Sequence, residues 1–296
     1  MNTFVLILAT GLSVAALYYL LASGLSLIFG LMDVLSFAHG ALLSICAYVA
    51  IETMGLFQTA TIGGLLLAVI ASMLVGAAVA FGVERFFVRP MYGRGHLPQL
   101  LVTMGVGLVL TAILTIRYGP DNVQMPLPSS VAGAVDLGGI YIPVSALVVI
   151  AAALILHVGL LLFLRRTRHG LIVRAGVENA DMVRGLGIDV TRSFSLVFTI
   201  GGLAAGLAGA LALVYVRSAT PHVGDQYLIY AFIVIVIGGV GSLSGTLAAA
   251  VVVGLVQQFA NYYITGGAGD LLALVLLAAV LLLRPQGLFG KTGRVV

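Results

Sequence analysis

Apolar residues run through this chain in stretches too long to be one face of a solvated helix. Such runs cover 4–29, 35–56, 62–83, 97–116, 140–164, 193–216, 227–240, 243–264 and 271–283. A helix needs roughly 20 apolar residues to cross a hydrocarbon core of about 30 Å, and seven of the runs satisfy that. Tyr227–Val240 and Leu271–Leu283 are shorter. Each is either a span extended by flanking glycine and polar residues or a re-entrant or broken helix, which exists only where protein or a cavity surrounds it. The pattern predicts an all-α, polytopic transmembrane helical protein of about 9 membrane segments. The total becomes 8 or 10 if the short runs are re-entrant or if Phe4–Gly40 holds an extra crossing.

Composition agrees: 61% of the 296 residues are hydrophobic, 8% are charged and the mean hydropathy is +1.20, whereas roughly a quarter of a soluble domain is charged. Glycine, at 38 residues, is about twice its usual frequency of roughly 7%. The steps Gly202-x-x-x-Gly206, Ala205-x-x-x-Gly209 and Gly241-x-x-x-Gly245 suit helices whose backbones approach closely. The single cysteine, Cys46, lies in an apolar run and excludes a disulfide framework or a cysteine-based metal site. No basic stretch precedes the first apolar run, which is expected to remain as the first membrane segment.

The charges orient the runs. Segment 84–96 holds Arg85, Arg89 and Arg94 against Glu84, segment 165–192 holds six of the thirteen arginines, and the tail holds Arg284, Lys291 and Arg294. Short Lys/Arg-rich loops stay cytoplasmic, so these three belong inside. Segment 117–139, with Arg117 against Asp121 and Asp136, and segment 217–226, with Arg217 against Asp225, suit the outside.

The central segment 165–192 is the longest polar interruption. Within it Val177–Leu186 is expected to form a short helix with Val177, Val183 and Leu186 on an apolar face, Met182 beside them, and Gly185 and Gly187 to end it. Ten residues cannot span a bilayer. That face must rest on the interface, on this protein's own helices, or in a partner's groove.

No catalytic constellation is visible. Gly290-Lys291-Thr292 imitates the end of a phosphate-binding loop, but Pro285 stands where its first glycine is required. Ser244 breaks a dinucleotide fingerprint begun by Gly239 and Gly241. There is no HExxH, and the five histidines are scattered. Nothing points to an enzyme, a cofactor, a metal or nucleic acid. Intramembrane polar residues stand out instead: Asp33 and His39 flank the break between the first two runs, His157 reads as a structural contact, and Gln257, Gln258 and Asn261 are free to meet substrate or another helix.

Five ordered blocks carry a resemblance. They are Leu35-Ser36-Phe37-Ala38-His39-Gly40 followed by Ala47-Tyr48; Val83 to Pro90 with Leu100, Thr103 and Gly105; Arg174-Ala175 through Asp181-Met182 to Leu186-Gly187-Ile188-Asp189-Val190 and Arg192; Gly238 to Gly245; and Leu283 to Gly290. Together they resemble the inner-membrane permease subunit of the branched-chain amino acid (Liv-type) ABC importer family. Ser36 replaces the family's usual Asn, Ala41 stands where some relatives carry Glu, Cys46 occupies a usual Gly, and Ser244 sits where Pro is common.

The resemblance implies a single permease domain, 1–296, that is not itself an ATPase. It pairs with a second homologous permease subunit, binds two cytoplasmic ATPase subunits, receives substrate from a periplasmic or extracellular solute-binding protein, and sits among lipid as a multi-pass protein of the bacterial inner membrane. Segment 165–192 would be the coupling loop, with Arg174, Val177, Glu178, Asn179, Asp181, Met182, Val183, Leu186 and Gly187 at the ATPase. Phe37, Ala38, His39, Gly40, Gly239, Gly241, Ser242 and Gly245 are the motif residues expected near the pathway. Substrates of the family include branched-chain amino acids, and relatives carry urea or short amides. The rival class, an ion-coupled secondary transporter of small polar solutes, needs acidic residues at mid-membrane, where this chain is almost uncharged.

The charge pattern makes a direct prediction. In a Cys46→Ser background, single cysteines at Ser129 and Thr167 will be labelled by an impermeant maleimide from opposite sides of the membrane; labelling of both from outside intact cells contradicts the topology.

Overall fold

The computed structural model describes residues 2–32, 34–57, 60–136, 138–178, 182, 190–264 and 266–290. The helices are α1 (Asn2–Met32), α2 (Ala38–Gly55), α3 (Ile62–Val83), α4 (His96–Tyr118), α5 (Ser129–Ala132), α6 (Val144–Arg166), α7 (Arg168–Glu178), α8 (Val190–Val216), α9 (Val223–Gly238), α10 (Leu243–Tyr263) and α11 (Ala268–Leu283). Seven helical stretches among the described residues are long and apolar enough to cross a membrane, while α9 and α11 have 16 residues each. At 1.5 Å per residue these two reach about 24 Å. The chain is an all-α polytopic membrane protein.

Two departures from the expected boundaries have local causes. Segment 84–91 is not a loop: α3 continues through a π-helical turn, Glu84–Val88, and a 3-10 turn, Arg89–Met91. Pro90, which lacks an amide proton and fixes its own φ, sits where the regular helix has ended. The second run is not helical from its start, because Leu35 and Ser36 have no regular structure and α2 begins only at Ala38.

α1, α2 and α8 form the inside of the bundle, and α3, α4 and α6 its outside. α8 carries Val197, Phe198, Ala204, Ala205 and Val214 at full burial, whereas Leu108 and Ile116 of α4 and Leu154 and Ile155 of α6 are exposed. Apolar side chains facing outward are what a lipid or partner surface requires.

The inner helices meet through glycine. A Cβ on Gly202 would collide with Ala80 and the Gly76 carbonyl of α3, and one on Gly206 with the Ser72 carbonyl. On its other sides α8 places Gly209 against Leu43 and Ala47 of α2, and Gly201 against Ile28 of α1. α1 and α10 run antiparallel, with Gly11 beside Gln258, Gly254 beside Ala15, and the Thr246 hydroxyl 3.2 Å from that of Ser26.

The chain also contains short strand pairs, absent from the sequence-based expectation. β1 (Val123–Gln124) pairs antiparallel with β4 (Ser218–Ala219), and β2 (Ala134–Asp136) with β3 (Tyr141–Pro143). The β1–β4 ladder ties 117–139 to 217–226, so both lie on one side of the bundle, as their charges predict.

Replacing Gly206 by Leu is expected to lower stability by about 1–3 kcal/mol or more, the usual cost of forcing bulk into a packed contact. Gly105→Leu, at a glycine with open space around it, will leave the melting temperature in detergent unchanged or higher. Equal melting of the two variants removes the close packing of α3 and α8 as a source of stability.

Candidate functional site

The first motif block forms a break in the middle of the bundle. α1 ends at Met32, and after it Val34 and Ser36 have no exposed surface although their backbone is not helical. Irregular backbone at such depth persists only when protein surrounds it and its polar groups find partners. Thr103 of α4 supplies part of this: its hydroxyl accepts the Phe37 amide proton at 3.2 Å and lies 3.1 Å from the Leu35 carbonyl.

Each residue of Phe37-Ala38-His39-Gly40 then faces a different neighbour. The Phe37 ring packs 5.1 Å from that of Phe232 on α9. Ala38 lies against Gly107 of α4, and a Cβ on Gly24 of α1 would come within 3.0 Å of His39 Nε2. Gly40 meets Gly224, whose amide proton is donated to Ser44 Oγ at 2.9 Å. Among the described residues, Ser36 Oγ and both ring nitrogens of His39 are fully buried with no hydrogen-bond partner, a costly state for polar groups. An apolar groove of about 490 Å³ runs from Phe37 past Gly107, Thr111 and Thr115 to His222 and Asp225.

The fourth and fifth motif blocks, distant in sequence, form one joint. The Leu288 and Phe289 amides donate to the carbonyls of Ile237 (2.8 Å) and Gly238 (3.2 Å). Gly239 has φ +95° and its Cβ position is 2.5 Å from the Gly290 nitrogen, so a side chain there is excluded twice. Gly241 abuts Gly30 at the end of α1, Gly245 abuts Gly238, and the Ser242 hydroxyl caps α10 by accepting the Gly245 amide proton at 3.1 Å. These four residues hold the α9–α10 turn and the tail together.

At the opposite end of α8 from the β1–β4 ladder lies a carboxylate that the sequence places in the second motif block and against nearby arginines. Glu84 is fully buried. It accepts the Tyr92 hydroxyl at 2.9 Å and the Ser195 hydroxyl at 2.7 Å, and Tyr92 packs edge-on to Phe194 at 5.8 Å. Burial, then the adjacent Glu84 charge, push the Tyr92 hydroxyl well above its ordinary pKa. Glu84 thus links the π-helical end of α3 to the first turns of α8. The available signals were that block and its position directly after an apolar run.

Of the coupling residues, Arg174 is exposed on α7 and Met182 is 59% exposed. α7 ends at Glu178, so the described helix lies largely before the expected Val177–Leu186. The side chains of Val177 and Glu178, and Asn179, Asp181, Val183, Leu186 and Gly187, fall outside the described residues. Asp33 does too. His157 has the structural contact expected of it, with Nδ1 2.6 Å from the Tyr19 hydroxyl. Gln257 bonds Tyr18 and Asp270, and Asn261 accepts the Gly269 amide proton at 2.8 Å.

Residues 7–283 match the family model described as branched-chain amino acid transport system, permease component. The chain is 29% identical over 293 residues to the high-affinity branched-chain amino acid transport system permease protein BraD of Pseudomonas aeruginosa, covering 96% of this chain and 95% of that one. It is 26% identical over 288 residues to the corresponding LivH of Escherichia coli K12 (95% and 94% covered). To the probable branched-chain amino acid permease LivH of Methanocaldococcus jannaschii it is 28% identical over 290 residues (93% and 89% covered). No solved structure matches.

Glu84→Ala leaves two half-buried hydroxyls without their acceptor and is expected to cost about 1–3 kcal/mol. Glu84→Gln, which keeps one acceptor oxygen, will cost less. Thermal unfolding in detergent orders wild type, Gln and Ala; an Ala variant that melts with wild type removes this link.

Proposed function

Since the chain belongs to the family of permease components of branched-chain amino acid transport systems, we propose that it is the membrane channel half of an ABC importer that moves branched-chain amino acids inward. Its relatives match from end to end, and that supports carrying over the whole transport unit and not one segment of it. On this reading the permease pairs with a second, homologous permease in the inner membrane. Two cytoplasmic ATPase subunits drive it, and a solute-binding protein delivers substrate from outside. All nine apolar runs cross, with α9 and α11 as short spans, the N-terminus outside and the C-terminus inside, and the whole chain acts as one domain.

Substrate passes along α2. Phe37, Ala38, His39 and Gly40 line the route at the break between α1 and α2, and Gly239, Gly241, Ser242 and Gly245 form the joint at its cytoplasmic end. The unpartnered Ser36 and His39 support this: polar groups left unsatisfied in one state are groups that another state can satisfy. Segment 165–192, with Arg174 to Gly187, docks on the ATPase. It leads directly into α8, and α8 is tied to α3 through Glu84 and the glycine contacts, so a displacement of the segment reaches the helices around the route as a rigid-body movement.

The test is a pair of charge insertions in the docking segment. Met182→Asp or Leu186→Asp would bury an unpaired carboxylate in the partner's groove at a cost of several kcal/mol, so association with the ATPases should weaken by about two or more orders of magnitude. Alternatively assembly survives and hydrolysis runs without leucine uptake. Co-purification of the tagged permease and uptake into vesicles read both. Normal assembly with normal uptake in both variants removes the segment as the coupling site, and a wild-type complex that imports no branched-chain amino acid removes the substrate assignment.

A further inference from the structure

A second polar centre lies away from the α1–α2 break. A cavity of about 340 Å³ opens between α1, α8, α9, α10 and α11 near the β1–β4 ladder. On one part of its wall the Tyr18 hydroxyl donates to Gln257 Oε1 at 2.6 Å, and Gln257 Nε2 donates to Asp270 Oδ1 at 2.8 Å. The Tyr230 hydroxyl donates to the same oxygen at 2.6 Å, and the Tyr18 and Tyr230 rings stack at 4.5 Å. Tyr215 and Tyr227 also line the cavity, and Val14, Leu17 and Leu213 give it an apolar part.

Asp270 is exposed in the first turn of α11 and its carboxylate lines the cavity. Both hydrogen bonds end on Oδ1, leaving Oδ2 with acceptor capacity. Among the described residues the ion pair found joins His222 to Asp225, and no arginine, lysine or histidine lines the cavity beside Asp270. A carboxylate at the mouth of a largely apolar cavity favours a cation over an anion. Tyrosine rings favour one as well, through the negative faces of their π systems. A cavity at the lower end of the range for ligand sites suits a small solute.

We propose that this cavity is a binding subsite for the primary ammonium group of a small aliphatic solute, with Asp270 as counter-charge and Val14, Leu17 and Leu213 against the hydrocarbon part. Assigning that ammonium to an imported amino acid rests on the function proposed above; the preference for an alkylammonium does not. In transport the subsite is a station that selects a free amino group before the solute reaches Phe37. Gln257 and Tyr230 position the carboxylate, and the ligand touches Oδ2.

The purified permease is unfolded thermally in detergent at neutral pH with isoamylamine or with 4-methylpentanoate. The amine is expected to raise the melting temperature and the acid to leave it unchanged. Asp270→Asn keeps an acceptor for Tyr230 and Gln257 but removes the charge, and should weaken the amine response at least about tenfold. Val14→Phe, which fills part of the cavity, should weaken isoamylamine more than methylammonium, and it decides the matter alone if Asp270→Asn does not fold. No rise with the amine, equal rises with amine and acid, or an isoamylamine response unaltered in the variants overturns the subsite. Loss of the transport reading is seen separately: amine binding that depends on Asp270 in a complex that imports no amino acid leaves the subsite and removes the substrate, and uptake without that dependence does the reverse.

Discussion

Close backbone approach along α8 is the constraint on which this bundle depends. Inside a membrane the hydrophobic effect does not press one apolar helix on another, and association rests on contact and on hydrogen bonds. Gly201, Gly202, Gly206 and Gly209 remove side-chain bulk on successive faces, so α8 touches α1, α3 and α2 at once. A single Cβ at Gly202 has no room beside Ala80 and the Gly76 carbonyl. The outward faces of α3, α4 and α6 have no such need and expose leucine and isoleucine.

With α8 fixed, the irregular backbone has somewhere to be. The irregular stretch before α2 is sealed by Thr103 and by the glycines at 24, 107 and 224. The turn after α9 is sealed by the returning tail through Leu288 and Phe289. Before α2 the chain that cannot make its own helical hydrogen bonds is held inside protein, the condition under which a membrane tolerates it, whereas Val240 and Gly241 in the turn after α9 are exposed. The break before α2 also holds buried polar groups without partners among the described residues, Ser36 and His39, and a transporter needs groups that change partners between states.

Much of this was legible in one dimension. Residues 4–29 and 62–83 are apolar at every turn, so no soluble packing satisfies them, and the helices fall within a few residues of those runs. The glycine steps announced close packing. Loop charges paired 117–139 with 217–226, and the β1–β4 ladder joins the two. The central segment was legible as a basic interruption; within it α7 starts where Thr167 accepts the Gly170 amide proton, and the expected helix Val177–Leu186 lies almost wholly outside the described residues.

The sequence by itself determined the class, the order of the helices and the family blocks, because hydropathy and small-residue spacing are local properties. Tertiary structure decided which blocks meet. Nothing local says that Gly239 will lie on Gly290, or that Thr103 will complete the Phe37 amide. It also decided the setting of the acidic residues: Glu84 is a link between α3 and α8, and Asp270 lies in the lining of a cavity. A carboxylate's role depends on the donors and charges brought around it through space, and residues 111 positions apart, as Glu84 and Ser195 are, become neighbours only when the chain has folded.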